Sequence, residues 1–314
     1  MESVTCPISG SPDFTPWIQV PNRFDPSGEE QWSLLRSNAS GLIMLNPRPD
    51  STEIAHHYPR GLYDPHLHQH NSTTFSSKAY LAARSLLLRY KARIILRGTS
   101  KPLSQVRILE IGCSTGELLN YFHLKKGIPL SNLAGVETDT EAAAYATKHF
   151  GLHISPSLSA ATAPEKRFDR IIVWHALEHI HAIHETLSNA AQQLAAGGML
   201  IIALPNPESY DAKHYREHWI AWDAPRHLYH FPPGTLEKLL EKHSLRVINR
   251  QSYLPDSIYN TLYSEKLRCK STKKGFHAPQ EGAALLKGVA AASMGALLPR
   301  QASSLVYFVI KSRT

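Results

Sequence analysis

A short segment, residues 107–117, most constrains what this chain can fold into. Three apolar residues around Glu110 are typical of a buried strand, and a turn bracketed by Gly112 and Gly116 separates them from a helical pattern. A strand, a glycine-rich turn and a helix in that order present backbone N–H groups to a ligand at the carboxyl end of the strand. The segment therefore predicts a ligand-binding α/β domain.

A helical pattern over 78–97 precedes residues 106–310, which alternate between strand-like and helix-like patterns. Apolar runs predict strands, and amphipathic stretches that end at glycine predict helices. The predicted strands are 106–111, 133–137, 153–155, 168–174, 199–204, 245–252 and 304–310; the predicted helices are 78–97, 117–126, 141–150, 183–194 and 235–243, with 256–300 helical or irregular. Repeated β-α-β units imply a parallel sheet with right-handed crossovers.

The glycine spacing distinguishes two cofactor classes. Glu110-x-Gly112-x-x-x-Gly116 differs from the G-x-G-x-x-G fingerprint of dinucleotide-binding domains, so a nicotinamide oxidoreductase is disfavoured. The segment resembles motif I of class I S-adenosylmethionine (SAM)-dependent methyltransferases. Three further blocks resemble a bacterial small-molecule group of these enzymes: 168–180 ("FD…LEH"), 194–206 ("L.pGG.l.i..PN") and 219–231 ("W…PRHL..F").

The resemblance implies a fold, an activity and a cofactor. The fold is α/β, a Rossmann-like, seven-stranded, mostly parallel sheet with helices on both faces and a small loop-rich N-terminal appendage. The activity is methyl transfer, with SAM as the cofactor and S-adenosyl-L-homocysteine as the product. The expected domains are a lid-like appendage over 1–75, a SAM-binding core over 76–255, and a helical insertion with a final strand over 256–314.

The resemblance also assigns cofactor contacts. The first turn and the Glu110 carboxylate hold the amino-acid end, while Glu137, about 20 residues after the turn, receives the ribose hydroxyls. No acid that would contact adenine is evident over 155–160. The predicted cofactor residues are Glu110, Gly112, Cys113, Ser114, Gly116, Glu137, Trp174 and His175.

Methyl transfer from a sulfonium needs an aligned nucleophile and, for a hydroxyl or a carbon acid, removal of a proton. Histidine suits that task because its ordinary pKa is near neutral. His179 and His227 are the candidate bases, with Glu178 or Arg226 as the orienting group; alternatively, the Glu178–His179 pair pins its own loop. The predicted acceptor-site residues, which otherwise pack the core, are Trp219, Trp222, Arg226 and His230.

Two motifs in the N-terminal region have the spacing of zinc knuckles. Three of the four ligand positions hold serine, and serine hydroxyls are poor Zn²⁺ ligands. The segment is therefore interpreted as a zinc ribbon that has lost its metal, with chance spacing in a loop as the alternative. The residues concerned are Cys6, Ser9 and Gly10 in the first motif and Ser37, Ser40 and Gly41 in the second.

Aromatic residues near the end of the appendage carry weaker signals. Tyr58 and Tyr63 resemble tyrosines that related enzymes place in a lid over the cofactor. His66, His68 and His70 lie in a loop-like stretch without a carboxylate or thiolate at ligand spacing. They are expected to be solvated, and no metal site is predicted.

Composition limits the compartment and the partners. Three cysteines cannot form a disulfide framework, which favours a reducing, cytoplasmic compartment. No stretch is long and apolar enough to span a bilayer. The formal net charge is +8, with +7 over 76–105 and +8 over 211–314, which favours an anionic acceptor unless the charge serves solubility alone.

The leading prediction is a methyltransferase that acts on a small molecule. O-methylation of a hydroxyl comes first, and C-methylation of a sugar or another carbon acid comes second. Nucleic-acid methylation is an alternative that the basic charge favours, but no Asn/Asp-Pro-Pro-Tyr motif follows the fourth strand, so no stable nucleic-acid complex is expected. A non-catalytic binding protein is disfavoured by the retained motif residues, and the oligomeric state is left open.

Overall fold

The computed structural model describes residues 1–25, 27, 29–58, 75–158, 167–272 and 275–312, with side chains described from residue 83 onward in the first helix. Tyr63, His66, His68 and His70 lie outside this part of the chain. The chain divides into two compact units. The first contains Met1–Tyr58, Leu177–His184 and Ala203–Tyr307, and the second contains Pro59–Ala176, Glu185–Ile202 and Phe308–Thr314. The domain boundaries predicted from the sequence stay a prediction.

Strands and helices alternate along much of the chain. The strands are β1 (Phe14–Pro21), β2 (Gln31–Ser37), β3 (Ile43–Leu45), β4 (Ile108–Ile111), β5 (Leu133–Val136), β6 (His153–Ser155), β7 (Phe168–Trp174), β8 (Leu194–Pro205), β9 (Tyr229–His230), β10 (Leu245–Ser252) and β11 (Ser304–Lys311). The helices are α1 (Phe75–Ile95), α2 (Glu117–Lys126), α3 (Thr140–Phe150), α4 (Ile183–Gln193), α5 (Tyr210–Tyr215), α6 (Thr235–Glu241), α7 (Pro255–Ser271) and α8 (Ala278–Leu297).

The larger sheet has seven strands and is mostly parallel, which confirms the predicted Rossmann-like α/β fold. Its strand order is β10-β11-β8-β7-β4-β5-β6, and β4 pairs in parallel with both β5 and β7. The order reverses at β4, because the chain proceeds outward to β5 and β6 and then returns to β7 on the other side. Ligands of open α/β sheets bind at the carboxyl ends of strands beside such a reversal. The predicted turn after β4 lies at that edge.

Burial in the central strands follows from their sequence. Every residue of β4 and of β7 is buried, so both faces of these strands are covered. Parallel strands of this kind read as continuous apolar runs, which is the pattern that predicted them. Even Asp169 is buried in β7, where its carboxylate accepts the N–H of Arg107 at 2.9 Å and pairs with Lys101.

The N-terminal region has more regular structure than the loop-rich appendage that the sequence predicts. β1, β2, β3 and β9 form a four-stranded antiparallel sheet in that order. Val20, Leu34 and Leu45 from this sheet share a core with Trp219 and Trp222. The strands escaped prediction because prolines interrupt the alternating pattern of β1, and because β9 comes from a distant part of the chain.

Other predicted elements differ from the structure mainly at their ends. The helix expected over 78–97 is α1, and the strand expected over 199–204 is the longer β8. The segment 256–300 contains two long helices, α7 and α8, which pack so closely that a Cβ on Gly288 would lie 2.9 Å from the Cα of Ile258. Within the described ranges, no helix combines the length and the apolar character needed to cross a membrane.

Candidate functional site

The turn after β4 leads into α2 through an unusual backbone conformation. Gly112, Ser114 and Gly116 have φ angles of +74°, +49° and +74°, in the left-handed region. The N–H groups of Gly112 and Cys113 both donate to the carbonyl oxygen of Val136, at 2.8 and 3.1 Å. These hydrogen bonds hold the turn against the end of β5.

Close neighbours require glycine at both ends of this turn. A Cβ on Gly112 would lie 2.7 Å from the Cβ of Ala176, and a Cβ on Gly116 would lie 2.9 Å from the Cβ of Ala146. Carbon atoms without a bond between them do not approach so closely, so a side chain at either position would displace the turn. With glycine present, the backbone of the turn remains accessible to a ligand at Gly112, which is exposed.

Glu137 follows β5 directly and faces this turn. One carboxylate oxygen accepts the N–H of Ser114 at 2.8 Å, and the other accepts the N–H of Asp139 at 2.9 Å. A carboxylate offers about four lone-pair positions, so both oxygens can accept further hydrogen bonds. The side chain is only partly buried, which leaves those positions available to a polyhydroxyl group.

Glu110 is a buried carboxylate in the middle of β4. Its Oε2 has no hydrogen-bond partner among the described residues. Burial raises the pKa of its carboxyl to about 8, against the attraction of the Lys91 ammonium. Lys91 itself lies over the ring of Trp174, with its Nζ 4.8 Å from the ring centroid. A cationic group that reached Glu110 would offset the cost of ionising a buried acid.

Trp174, His175 and Cys113 complete the predicted cofactor set. Trp174 is the buried last residue of β7, and His175 follows it with a φ of +50°. Cys113 packs against β5, because a Cβ on Gly135 would lie only 2.5 Å from its Sγ. Burial raises the pKa of the Cys113 thiol, so the side chain stays neutral and contributes packing.

A second group of predicted residues lies within the first unit. Glu178 and His179 belong to a 3-10 turn, Leu177–His179, and His227 comes from the later block. Side-chain ligand atoms of Glu178, His179 and His227 all lie within 4.8 Å of one another. The two imidazole rings meet edge to face with their centroids 4.5 Å apart. The N–H of Leu228 donates to the carbonyl of Glu178 at 2.8 Å and ties the two segments together.

Hydrogen bonds to backbone carbonyls indicate the tautomers of His179 and His227. Nδ1 of His227 lies 2.8 Å from the carbonyl oxygen of Ala221, and Nδ1 of His179 lies 3.0 Å from that of Arg226. A carbonyl oxygen can only accept, so the proton is assigned to Nδ1 in each ring. In the neutral form each Nε2 then carries a lone pair. The hydroxyl of Tyr58 lies 3.0 Å from the same Nδ1 of His179.

Burial keeps these imidazoles neutral. It lowers the pKa of His179, and it lowers the pKa of His227 to about 4, with His179 adding to the effect. Burial also lowers the pKa of His230 well below its usual value. The Nε2 of His230 is buried and lacks a hydrogen-bond partner in the described part of the chain. Three neutral rings therefore share this region at neutral pH.

Arg226 is held inside the first unit by a fixed set of partners. Its guanidinium pairs with Asp223, donates to the carbonyl of His57 at 3.0 Å and lies over the ring of Phe24. Although burial favours the neutral acid, Arg23 and Arg226 hold the pKa of Asp223 well below its usual range. The Arg226 side chain is fully buried, and its contacts hold the segment that carries His227 in place.

The two predicted acceptor-site tryptophans are also core residues. Nε1 of Trp219 donates to Asp211 at 2.8 Å, and Nε1 of Trp222 donates to the carbonyl of Arg216 at 2.6 Å. Their rings meet edge to face with centroids 5.0 Å apart, and Trp222 packs in the same way on His230. The structure thus brings the predicted aromatic residues together around the histidine cluster.

Sequence reasoning missed Asp223 and Lys91. Asp223 stands three residues before Arg226 and four before His227, a spacing that could have pointed to a brace for both. Lys91 had no such signal, because it is one of several basic residues on α1. Its approach to Glu110 depends on how α1 packs.

The sheet order, the glycine-rich turn after β4 and the acid after β5 define a SAM-dependent methyltransferase of class I. The chain belongs to a methyltransferase domain family, whose family model matches residues 75–249. The cofactor is therefore SAM and the product is S-adenosyl-L-homocysteine. Membership does not name the acceptor or the atom that is methylated.

No curated protein matches the sequence significantly. A SAM-dependent methyltransferase from Archaeoglobus fulgidus is 19% identical with a TM-score of 0.44, over 71% of this chain and 94% of that one. The cyclopropane synthase MmaA2 from Mycobacterium tuberculosis is 16% identical with a TM-score of 0.45, over 71% and 84%. The CcbJ methyltransferase from Streptomyces caelestis is 10% identical with a TM-score of 0.43, over 71% and 89%.

Proposed function

We propose that SAM is held by the turn after β4 and by the acids on either side of it. The buried Glu110 carboxylate, with Oε2 unpartnered among the described residues, fits an ammonium group, and the partly exposed Glu137 carboxylate fits the ribose hydroxyls. The backbone carbonyls of Gly112 and Ser114 would accept hydrogen bonds from the amino-acid end, because the N–H groups of the turn already donate to Val136, Glu137 and Cys113. When bound, the cofactor supplies an activated methyl group on a sulfonium.

The acceptor that we propose is a small molecule with a hydroxyl group. The supporting observation is the pair of neutral histidines whose Nδ1–H groups are fixed on backbone carbonyls, because this leaves an Nε2 lone pair on His179 and on His227. A lone pair of this kind can take the proton of a hydroxyl as the oxygen attacks the methyl carbon. Glu178 would orient the rings and stabilise the charge that one of them gains.

Trp222 and His230 would shape the acceptor pocket, while Arg226 and Trp219 would act by holding this region in place. The polar side-chain atoms of Arg226 and Trp219 already bond within the first unit. Nε1 of Trp222 is bonded as well, so Trp222 would contribute only its ring, which packs on His230. We keep C-methylation of a carbon acid as the alternative, since the same base could remove a proton from carbon.

The experiment offers labelled SAM together with pairs of small molecules that differ only by one hydroxyl. We expect transfer to the hydroxyl member alone, with the methyl group found on oxygen by mass spectrometry. His227→Ala should lower kcat by about 10²-fold or more while the KM for SAM changes little, because a general base acts on the chemical step. His243→Ala, at an exposed histidine pair, is the matched control. Transfer to carbon in the active pairs would contradict the proposal.

For the N-terminal region, we propose a zinc ribbon whose metal ligands have been replaced. The N–H of Gly10 donates to the carbonyl of Cys6 at 2.7 Å, and the N–H of Gly41 donates to the carbonyl of Ser37 at 2.8 Å. Both glycines have positive φ angles, of +72° and +83°. Cys6 Sγ lies 3.1 Å from the hydroxyl of Ser40, so two similar turns face each other. Their convergence supports this origin over chance spacing.

A further inference from the structure

We infer that Glu178, His179 and His227 form a binding site for a divalent cation of the zinc class. The sequence predicts no metal here, because only the fold brings His227 beside the adjacent pair Glu178 and His179. The inference rests on the acceptor site proposed above and changes the role of its histidines, because an Nε2 lone pair that binds a cation cannot also take a proton. Cation binding itself can be measured whether or not methyl transfer to a hydroxyl occurs.

The first argument is the composition and spacing of the cluster. Two imidazole nitrogens and one carboxylate oxygen are a ligand set that zinc-class metals use, whereas magnesium and calcium prefer oxygen alone. Each residue offers one ligand atom within 4.8 Å of the others. Bonds of zinc-like length place tetrahedral ligands about 3.4 Å apart. Side-chain rotations that bring the ligand atoms up to about 1.4 Å closer together would therefore complete the site.

The second argument is the set of groups behind the histidines. Metal-bound histidines almost always donate their other N–H to a carbonyl or a carboxylate, which fixes the tautomer and the ring orientation. Here the carbonyls of Ala221 and Arg226 receive the Nδ1–H groups at 2.8 and 3.0 Å. Nε2 of each ring is thus the atom that can bind a cation, and backbone atoms hold both rings in position.

The third argument is the electrostatics of a buried site. Glu178 is only 1% exposed, so its carboxylate is shielded from water. A carboxylate in such surroundings is costly to ionise, and a bound cation offsets that cost. Asp223 also faces the cluster, with its Oδ2 3.8 Å from Nε2 of His227, and its charge is paired with Arg23 and Arg226. A cation held by the cluster would therefore lie beside a carboxylate that water does not screen.

Three protein ligands leave a fourth position for water or for an acceptor, which is the pattern of catalytic rather than structural zinc sites. A cation at this point would favour the deprotonated form of an acceptor hydroxyl. His179 and His227 would then serve as ligands, and the acceptor would be a molecule with an oxygen that can reach the metal.

The test is calorimetry with Zn²⁺ and, separately, Mg²⁺ on chelator-treated full-length protein, followed by the visible absorption spectrum with Co²⁺. We expect one equivalent of Zn²⁺, a four-coordinate Co²⁺ spectrum with nitrogen and oxygen ligands, and weaker binding of Mg²⁺. Each of Glu178→Gln, His179→Ala and His227→Ala should weaken Zn²⁺ binding by at least about tenfold. The part-exposed His179 serves as the check if the variants of the two buried residues unfold.

Two control variants separate this cluster from other possible ligands. His184→Ala removes one member of the exposed His184–His243 pair, whose ring nitrogens lie 2.9 Å apart, and Cys6→Ser removes the thiol of the N-terminal turns. Both variants should bind Zn²⁺ as the unchanged protein does. Absence of Zn²⁺ binding, or loss of binding in a control but not in the cluster variants, would overturn the inference. Metal binding without hydroxyl methylation would leave it standing and reject only the proposed acceptor.

Discussion

At the scale of single residues, Glu137 has two roles that a substitution can separate. Its carboxylate already accepts backbone N–H groups from Ser114 and Asp139, and we propose that it also receives the ribose. Glu137→Ala should weaken SAM binding about 10- to 100-fold, because hydrogen bonds to a charged group contribute about 1.5–3 kcal/mol. Calorimetry with SAM measures the effect.

Two controls accompany this change. Glu137→Gln keeps an oxygen for the Ser114 N–H and loses only the charge. Its affinity for SAM should therefore fall between that of the unchanged protein and that of Glu137→Ala. Glu141→Ala alters an exposed acid in the first turn of α3 and should bind SAM normally. Unchanged affinity in Glu137→Ala would remove the ribose assignment.

The buried Glu110 carboxyl should make the free energy of unfolding depend on pH. Burial raises the pKa of its carboxyl from 4.5 to about 8, so the folded protein holds a proton that the unfolded chain releases between these values. Its contribution to stability is complete below the unfolded pKa and is lost as the pH rises through about 8. Urea unfolding should therefore show a decrease in the free energy of unfolding over this range, and Glu110→Gln should flatten it. Equal slopes in both proteins would contradict this account.

At the scale of elements, α2 begins and ends at glycines that differ in one respect. Gly116 and Gly127 have similar φ angles, +74° and +68°, but only a Cβ on Gly116 would meet close neighbours, at 2.6 and 2.9 Å. Both alanine variants should lose about 1–2 kcal/mol for the left-handed conformation. Gly116→Ala should lose a further 1–3 kcal/mol or so from overpacking. Chemical denaturation compares the two, and equal losses would show that the crowding is relieved without cost.

The ribbon origin that we propose for the two N-terminal turns predicts that cysteine substitutions there create a zinc site. Ser9→Cys, Ser37→Cys and Ser40→Cys together with Cys6 should bind one further equivalent of zinc, with a thiolate cobalt spectrum and a higher Tm, because a structural zinc stabilises the fold that presents its ligands. His227→Ala should be present in every protein of the series, so that the internal cluster does not contribute.

The matched control for this experiment moves one cysteine by a single position. Ala39→Cys replaces Ser40→Cys while the other two substitutions stay. The displaced thiol should lower zinc affinity markedly, since four converging ligands are needed for a tetrahedral site. Similar zinc affinity in the two proteins with three added cysteines would argue against a ribbon origin for the turns.

At the scale of the whole molecule, the order of the chain differs from the arrangement in space. The first unit is assembled from three separate segments, and the histidine cluster takes a residue pair from one of them and His227 from another. Motif spacing located each of these segments along the sequence. It could not show that Glu178, His179 and His227 approach one another, because no local pattern encodes contacts between distant segments.

At the scale of the whole molecule, the net charge indicates less about the partner than the sequence suggests. The formal net charge is +8, yet several basic side chains are occupied within the fold, among them Arg226, Arg170 and Arg48. Charges that are buried and paired do not contribute to a surface that attracts nucleic acid. These three arginines are therefore not part of a nucleic-acid-binding surface.

The sequence by itself determined the seven-stranded sheet and the turn beside Glu110 and Glu137. It could do so because buried parallel strands are local apolar runs, and because the turn needs glycine at fixed spacing. Only the tertiary structure decided the four-stranded N-terminal sheet, the approach of Lys91 to Glu110 and the meeting of His179 with His227. Those features depend on packing between segments far apart in the chain, where each residue alone is compatible with many surroundings.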